Sequence, residues 1–560
     1  MLKRKGIIIG VMAVLIAVLT LSSVSVKDKE FQIIKNMDIF YKLFQELNYF
    51  YVDETDPEKL IQDGINGMLN SLDPYTSFIP ESELDDFAFM TTGRYGGIGA
   101  LIRTAGKNTL IAEPYENFPA HKAGLMAGDT ILEIDNKSIS GLNIKQVSER
   151  LKGEPDTKVK ITVQRPGQDK KMVFNVVRKE IKIDNVPYFG MINNYTGYIY
   201  LSNFTQDASE EVKNAVKNLK EQGAKGIILD LRSNPGGLLI EAVRIANIFV
   251  DKNVEIVSTH GKVKNWDKSY LTENKPVDTE ISVAVLVNRG SASASEIVAG
   301  AIQDLDRGVI IGQRTFGKGL VQTTRPLKYN TRLKVTTAKY YIPSGRCIQA
   351  IDYSNRNEDG SVGTIPDSLI SEFETRNGRK VYDGGGISPD IPVERKLYKR
   401  ITSIIHSKGF IFDYATVFRV KNENIPSVDK FEITDEIYND FKNFMAEKNF
   451  EYETESDLAL KNLIEKAKNE KYYDKSKDAF ENLEDKLDHD LNADLDLVRS
   501  EVSALLKQEI IGRYYFQKGQ IRCGIMDDEY VDEAIRILSD QAHYDSLLLI
   551  TSENEVMVQN

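Results

Sequence analysis

The sequence predicts an α/β core on a mainly parallel sheet, with a small β-rich domain inserted ahead of it and helical segments at both ends. Three observations carry this. Between about 195 and 395, apolar strands alternate with helical stretches, the rhythm that lays strands side by side in parallel under a cover of helices. Between about 93 and 178, short alternating runs are separated by glycines, as in a small β domain. Outside these regions apolar residues recur at helical spacing.

Taken in order, residues 1–28 set the compartment. Lys3, Arg4 and Lys5 precede an uncharged, mostly apolar stretch, Gly6 to Val26, closed by Lys27 and Asp28. At 1.5 Å rise per residue the stretch is long enough to span a hydrocarbon core about 30 Å thick. Cations on its short side hold that end in the cytoplasm. The remainder is therefore expected to be exported, on the periplasmic side of the membrane. The segment is long for a signal peptide, and Ser22 to Val26 is a poor cleavage site, yet anchor and signal peptide both stay open. No cysteine follows it, which excludes a lipoprotein.

Residues 29–90 are expected to be helical. Phe31, Ile34, Met37, Phe40, Tyr41 and Phe44 form one apolar stripe; Leu60, Ile65 and Met68 continue it, and Ser71 to Tyr75 break it with turn residues. Such faces can pack on the rest of the chain or form a homo-oligomer. In 91–178, glycines stand directly before the apolar run Ala100-Leu101-Ile102, Val147 to Leu151 fits a short helix, and Val159 to Val163 and Met172 to Val177 alternate as strands. In 179–398, the strands Gly197 to Leu201, Gly226 to Leu231 and Val283 to Val287 alternate with the helices Ser209 to Lys220, Leu238 to Val250 and Ser293 to Leu305. Ligands in such sheets sit at the carboxyl ends of the strands, where Asn234-Pro235-Gly236-Gly237 and a serine-rich turn both fall. Residues 399–560 turn polar and charged. Leu491, Leu495, Val498, Val502 and Leu505 make an amphipathic stripe there, so a helical interaction or scaffold region is expected.

Composition narrows the function. The 560 residues are 41% apolar and 28% charged, with 72 Lys plus Arg against 83 Asp plus Glu, a net charge of −11. That length corresponds to roughly four domains. An acidic chain is a poor sequence-independent binder of nucleic acid. Two cysteines without metal-ligand spacing and five scattered histidines exclude a disulfide-dependent fold and give no metal motif, so no metal or cofactor is expected.

The chemistry concentrates in Gly290-Ser291-Ala292-Ser293-Ala294-Ser295-Glu296-Ile297. A serine at a strand-to-helix turn projects above the sheet, and the N–H groups of the helix start can face an oxyanion. Ser293 and Glu296 also form S-x-x-E, a capping box, and on this segment alone capping is the commoner explanation. Which of the three serines would act is left open by the residues themselves. A serine needs a base. His260, the one histidine between 195 and 395, lies in what reads as a surface turn, so a Ser-His-Asp triad has little support. Lys318 stands between two glycines before an apolar strand, and a buried lysine can serve as base. Gln322 is four residues on, an even offset that puts it on the same strand face, where it can orient the amine. A glycine-hinged hairpin with an exposed lysine is the plain alternative.

These residues resemble the active-site signature of the carboxyl-terminal processing peptidases, or tail-specific proteases: Gly290 to Ile297, Gln303-Asp304 and Phe316-Gly317-Lys318-Gly319. Asp230 to Gly237, Tyr341 to Arg346 and Gly385 to Asp390 match further blocks in family order. The resemblance covers about residues 30–395 and implies a crotonase/ClpP-like serine-peptidase core with a PDZ domain at 91–178. It implies a Ser-Lys endopeptidase that cleaves exported proteins near their C-termini. Ser293 is then the nucleophile, Lys318 the general base and Gln322 its partner. Asp304 has a supporting role, and the oxyanion hole uses backbone N–H groups of Ala294 and of Gly236 or Gly237. The PDZ domain is expected to gate activity and to hold peptide C-termini. A glycine loop before a strand exposes N–H groups to a carboxylate while the strand edge pairs with the peptide; Gly97, Ile98, Gly99 and Ala100 are the candidates. Two other readings compete with it. A PDZ-based periplasmic scaffold or chaperone on an inactive protease fold is disfavoured by the intact Ser293, Lys318 and Gln322. A crotonase-like acyl hydrolase is disfavoured by the PDZ-like insert and the membrane segment.

Overall fold

In the core sheet the strands run in the order Tyr188–Met191, Thr196–Tyr200, Gly226–Asp230, Ser282–Val287, Val309–Gly312 and Ile391–Pro392. The first pair is antiparallel and the other four are parallel. The computed structural model describes residues 29–356, 361–394, 396–448, 450, 452–487 and 490–549. The expected signal peptide or anchor, residues 1–28, lies outside them. Among the described residues no helix is long and apolar enough to cross a membrane.

The sheet is apolar on both faces because it is covered on both, and side chains alternate between two cores. Ile199, Ile227, Leu229, Val283, Val285 and Ile310 join the helices Ala208–Glu221, Leu239–Phe249 and Ala294–Asp304 in one cluster. Tyr198, Ile228, Ala284, Leu286, Val309 and Ile311 face the other way, onto Ile525, Val531, Ala534, Ile537, Leu538 and Tyr544. That second cover is the pair of helices Glu529–Ser539 and Gln541–Leu547. The end of the C-terminal helical region thus completes the α/β core.

The expectation of a mainly parallel core describes one sheet only. Beside it lies a five-stranded sheet containing Glu255–Gly261, Lys268–Leu271, Leu320–Pro326 and Arg332–Tyr341. Glu255–Gly261 pairs antiparallel with both Lys268–Leu271 and Arg332–Tyr341. The connection to Lys268–Leu271 is too short for the crossover that parallel neighbours need, so it closes a hairpin. The smaller sheets among the described residues also pair antiparallel.

The inserted domain is an antiparallel sheet in the order Ala100–Ala105, Asn108–Pro114, Thr130–Ile134, Lys158–Gln164 and Met172–Val177. Its own core holds Ile98, Ile111, Ile131, Val147 and Ile161. Asn143 and Gln146 cap the helix Ile144–Leu151 reciprocally. A third core belongs to the helices Arg400–Ser407, Phe410–Lys421, Asp435–Glu447, Leu491–Leu497 and Arg499–Gly524. The amphipathic stripe from Leu491 to Leu505 runs over two of these helices, which meet at Val498, a residue outside helical geometry. A second break falls at Phe516.

Of the described residues, 29–78 and 324–335 form a separate compact unit. Residues 29–50 are helical, and Pro57–Asn70 is a helix capped by Asp56. Asp73 accepts the Tyr75 and Thr76 N–H groups and so fixes the expected turn. Phe31, Ile34 and Met37 remain about 60% exposed, so this stripe does not form a buried core. Cys347 and Cys523 are both free.

Candidate active site

The parallel strand Ser282–Val287 delivers the chain to a turn whose three serines have different fates. Ser291 is fully buried, and its hydroxyl donates to the Leu231 carbonyl at 2.8 Å. Ser295 is also fully buried and donates to the Asn234 carbonyl at 2.9 Å. Ser293 alone of the three is partly exposed. Its backbone stands at φ 57° and ψ −112°, a conformation that costs a residue with a Cβ about 1–3 kcal/mol. An ordinary N-cap is extended, so helix capping does not account for this geometry.

The strain is held by a web of bonds, and Glu296 is its centre. This side chain is fully buried. One carboxylate oxygen accepts the Ser293 N–H at 2.8 Å and the Lys318 N–H at 2.9 Å. The other accepts the Thr315 hydroxyl at 2.5 Å and the Gly317 N–H at 2.7 Å. Burial pushes the carboxyl up, while these four donors pull it down. The S-x-x-E pattern foretold the Ser293 contact, but its reading as a cap concealed that Glu296 also clamps the lysine's loop. Tyr340, equally missed, ties the same two segments: its hydroxyl donates to the Ser293 carbonyl at 3.2 Å and its N–H to the Gly319 carbonyl at 2.9 Å.

Lys318 lies half-buried in the loop before the strand Leu320–Pro326, outside that strand. Gln322 donates from its amide nitrogen to Thr336 Oγ1 at 3.2 Å, which leaves its carbonyl oxygen as the end suited to a lysine. His260 is on another strand, with Asp267 as hydrogen-bond partner at 3.1 Å and Tyr341 as ring neighbour.

Gly236 packs directly under the turn. A Cβ there would lie 2.6 Å from the Ala292 carbonyl and 2.8 Å from the Ala294 nitrogen, and its φ is +97°. Its own N–H is already given to Asn234 Oδ1 at 2.9 Å. Of the expected oxyanion donors, that leaves Gly237 and Ala294. Ala294 opens the helix, so its N–H has no partner one turn back.

Asp304 is at the far end of the same helix, about 15 Å from its start by the helical rise. It accepts Arg346 at 2.7 Å and the Ser344 N–H at 3.0 Å. Gln303 shares Arg346 and reaches Ser388 and Asp390. The matched blocks therefore divide into two buried networks at opposite ends of one helix.

In the inserted domain, Gly97 ends a strand paired to Lys179–Lys182, and the buried Ile98 points into the domain core. Gly99 has φ +72°, and a Cβ there would meet Phe118 at 2.5 Å. Ala100 opens a strand at the sheet edge, paired on one side only within its sheet. The phenol of Tyr95, in the preceding strand, is raised by burial.

Comparison with known proteins agrees with this division. The model of peptidase family S41 matches residues 195–367, a PDZ domain model matches 110–165, and "Probable PDZ-protease, C-terminal helical domain" matches 401–538. A carboxy-terminal-processing protease of Bartonella bacilliformis is 38% identical over 60% of this chain and 76% of its own. The carboxy-terminal processing protease CtpA of Bacillus subtilis is 31% identical over 65% of this chain and 76% of its own. A solved photosystem II D1 C-terminal processing protease shares 29% identity over 63% of this chain and 92% of its own, with a TM-score of 0.35. The chain belongs to the carboxy-terminal-processing proteases, serine peptidases of family S41 that carry a PDZ domain.

Proposed function

We propose that the protein is an exported Ser-Lys endopeptidase that cleaves proteins near their C-termini. Ser293 is the nucleophile, neutral Lys318 takes its proton, and Gln322 orients the lysine amine. Attack on the scissile carbonyl develops a negative oxygen, which the N–H groups of Ala294 and Gly237 receive. One observation carries the reading: of three serines at the turn, two spend their hydroxyls on buried backbone, and the third is partly exposed, strained and clamped with Lys318 by a single carboxylate. The parallel strands with interleaved helices support a crotonase/ClpP-like core, and the basic start followed by Gly6 to Val26 supports export with an anchor or signal peptide.

The PDZ domain binds the free C-terminus of the substrate at Gly97 to Ala100, with the open edge of Ala100–Ala105 pairing to the peptide. It thereby gates access to the site. The exposed apolar stripe at Phe31, Ile34 and Met37 is a surface for a second copy or the membrane.

The test is labelling by a serine-directed fluorophosphonate followed by peptide mapping, beside turnover of a peptide with a free C-terminus. Label on Ser293 and loss of both activities in Ser293→Ala are expected, with the melting temperature retained. Label on another serine, or turnover by Ser293→Ala, would overturn the assignment. Turnover absent from the native chain as well would favour a scaffold on this fold.

A further inference from the structure

An ion pair spanning 296 residues joins the end of the helical region to the turn before Gly237. Arg232 directs one terminal nitrogen at both oxygens of Asp528, at 2.9 and 2.7 Å. Its other nitrogens hold Asp230, which also accepts the Tyr198 hydroxyl at 2.7 Å. The Tyr530 ring lies 5.0 Å from the guanidinium. Asp528 is fixed in turn as the cap of the helix Glu529–Ser539, accepting the Tyr530 and Val531 N–H groups. Arg232 leads straight into Ser233 to Gly237, where Ser233, Gly236 and Gly237 all have positive φ. A turn of this kind keeps its shape only where its surroundings over-determine it.

The segment that carries Asp528 also meets the PDZ domain. Upstream, the helix Arg499–Gly524 breaks at Phe516, with φ 54° and ψ −162°. The Phe516 ring packs edge-on against His121 of the PDZ domain, with ring centres 4.7 Å apart. The Glu113 carboxyl, also in the PDZ domain, is raised by burial, with the charge of Arg513 on this helix pulling it back down. One turn earlier, Arg513 stacks on Phe412, and Arg103 of the PDZ domain covers the same ring at 3.7 Å. The break and the PDZ contact are one feature.

We propose that Asp528 is a positioning residue for the oxyanion turn, acting through Arg232, and that the PDZ domain reaches that turn through the break at Phe516. The inference rests on the reading of Ser293 and Gly237 given above. Asp528 touches no reacting atom; it fixes the guanidinium from which the turn begins. A displacement of the Gly237 N–H weakens the transition state more than the bound substrate, so the effect belongs in kcat. The PDZ domain meets this helix at the break through His121 and faces Arg513 with Glu113, so peptide binding that shifts the domain bears on Asp528.

The experiment measures kcat and KM on a fluorogenic peptide with a free C-terminus, the fluorophosphonate labelling rate and the melting temperature. The variants are Asp528→Asn, Asp528→Glu, Arg232→Lys, Glu113→Gln, the double Asp528→Asn/Glu113→Gln, and Ile537→Val as a packing control on the same helix. Asp528→Asn and Arg232→Lys should each lower kcat and labelling at least about tenfold, with KM changed by less than about twofold. Asp528→Glu should recover part of the rate and Ile537→Val should keep it. Glu113→Gln should alter kcat in the native background and add nothing to Asp528→Asn. Native kcat in both Asp528→Asn and Arg232→Lys, with Ser293→Ala inactive, would sink the positioning role alone. Independent, multiplying effects of Glu113→Gln and Asp528→Asn would sink the link to the PDZ domain. Activity in Ser293→Ala would instead remove the reading of the site on which both rest. An Asp528→Asn chain that fails to fold leaves Arg232→Lys and Asp528→Glu to decide.

Discussion

The Glu296 carboxylate accepts the Ser293 N–H at 2.8 Å, and the same oxygen accepts Lys318 at 2.9 Å. The strained backbone of the proposed nucleophile and the loop of the proposed base are thus fixed by one buried carboxylate. Glu296→Gln keeps the shape but turns an NH2 toward at least one buried N–H donor, Gly317 on one side or Ser293 and Lys318 on the other. Leaving buried donors unpaired costs about 1–3 kcal/mol each. We expect kcat/KM to fall by roughly two orders of magnitude, with a lower midpoint in urea unfolding. Native turnover in Glu296→Gln would show that the clamp is dispensable.

Lys318→Arg should be as inactive as Lys318→Ala. A guanidinium stays charged above pH 12 or so and supplies no usable base. In the native enzyme the rate should rise with pH, since only the neutral amine accepts the serine proton. The check is a pH–rate profile of the native chain beside endpoint assays of both variants. Substantial turnover by Lys318→Arg would remove the lysine from the mechanism and return attention to His260.

A peptide ending in a free carboxylate should bind the PDZ domain more tightly than its C-terminal amide, because the loop loses a charged acceptor. The difference should be at least about 1 kcal/mol, read by isothermal titration with the Ser293→Ala chain. Gly99→Val should abolish the difference, since its Cβ would meet Phe118 at 2.5 Å in a backbone conformation that valine rarely adopts. Equal affinities of acid and amide would count against carboxylate capture.

Leu538→Ala should destabilise the peptidase core although it lies beyond the S41 match. Leu538 is 1% exposed and packs over Gly226 of the central sheet. A buried Leu→Ala exchange costs about 2–5 kcal/mol. Chemical denaturation followed through the serine label should show it, and an unchanged midpoint would mean that the C-terminal helices contribute little to the core.

The family, the parallel strands of the core sheet and the segments that hold the candidate residues were legible in the sequence alone. Strands buried on both faces read as unbroken apolar runs, and helix starts and glycine turns are local signals that need no partner. Hence Gly226–Asp230, Ser282–Val287 and the helix from Ala294 lie close to where their patterns place them. Tertiary structure decided what depends on distant neighbours. Ser291, Ser293 and Ser295 are chemically identical in sequence, and only the carbonyls of Leu231 and Asn234 separate the locked hydroxyls from the strained one. The Gly236 N–H, a candidate donor by its place in the glycine turn, is taken by Asn234 Oδ1. Asp304 stands near Ser293 in sequence and a helix length away in space. The helices after Ile525 look like a polar appendage because their apolar faces have no mate nearby in sequence; the sheet face they cover was built some 300 residues earlier. Composition and periodicity report which face of an element is apolar. They do not report which face it meets, because that is set by packing between segments remote along the chain.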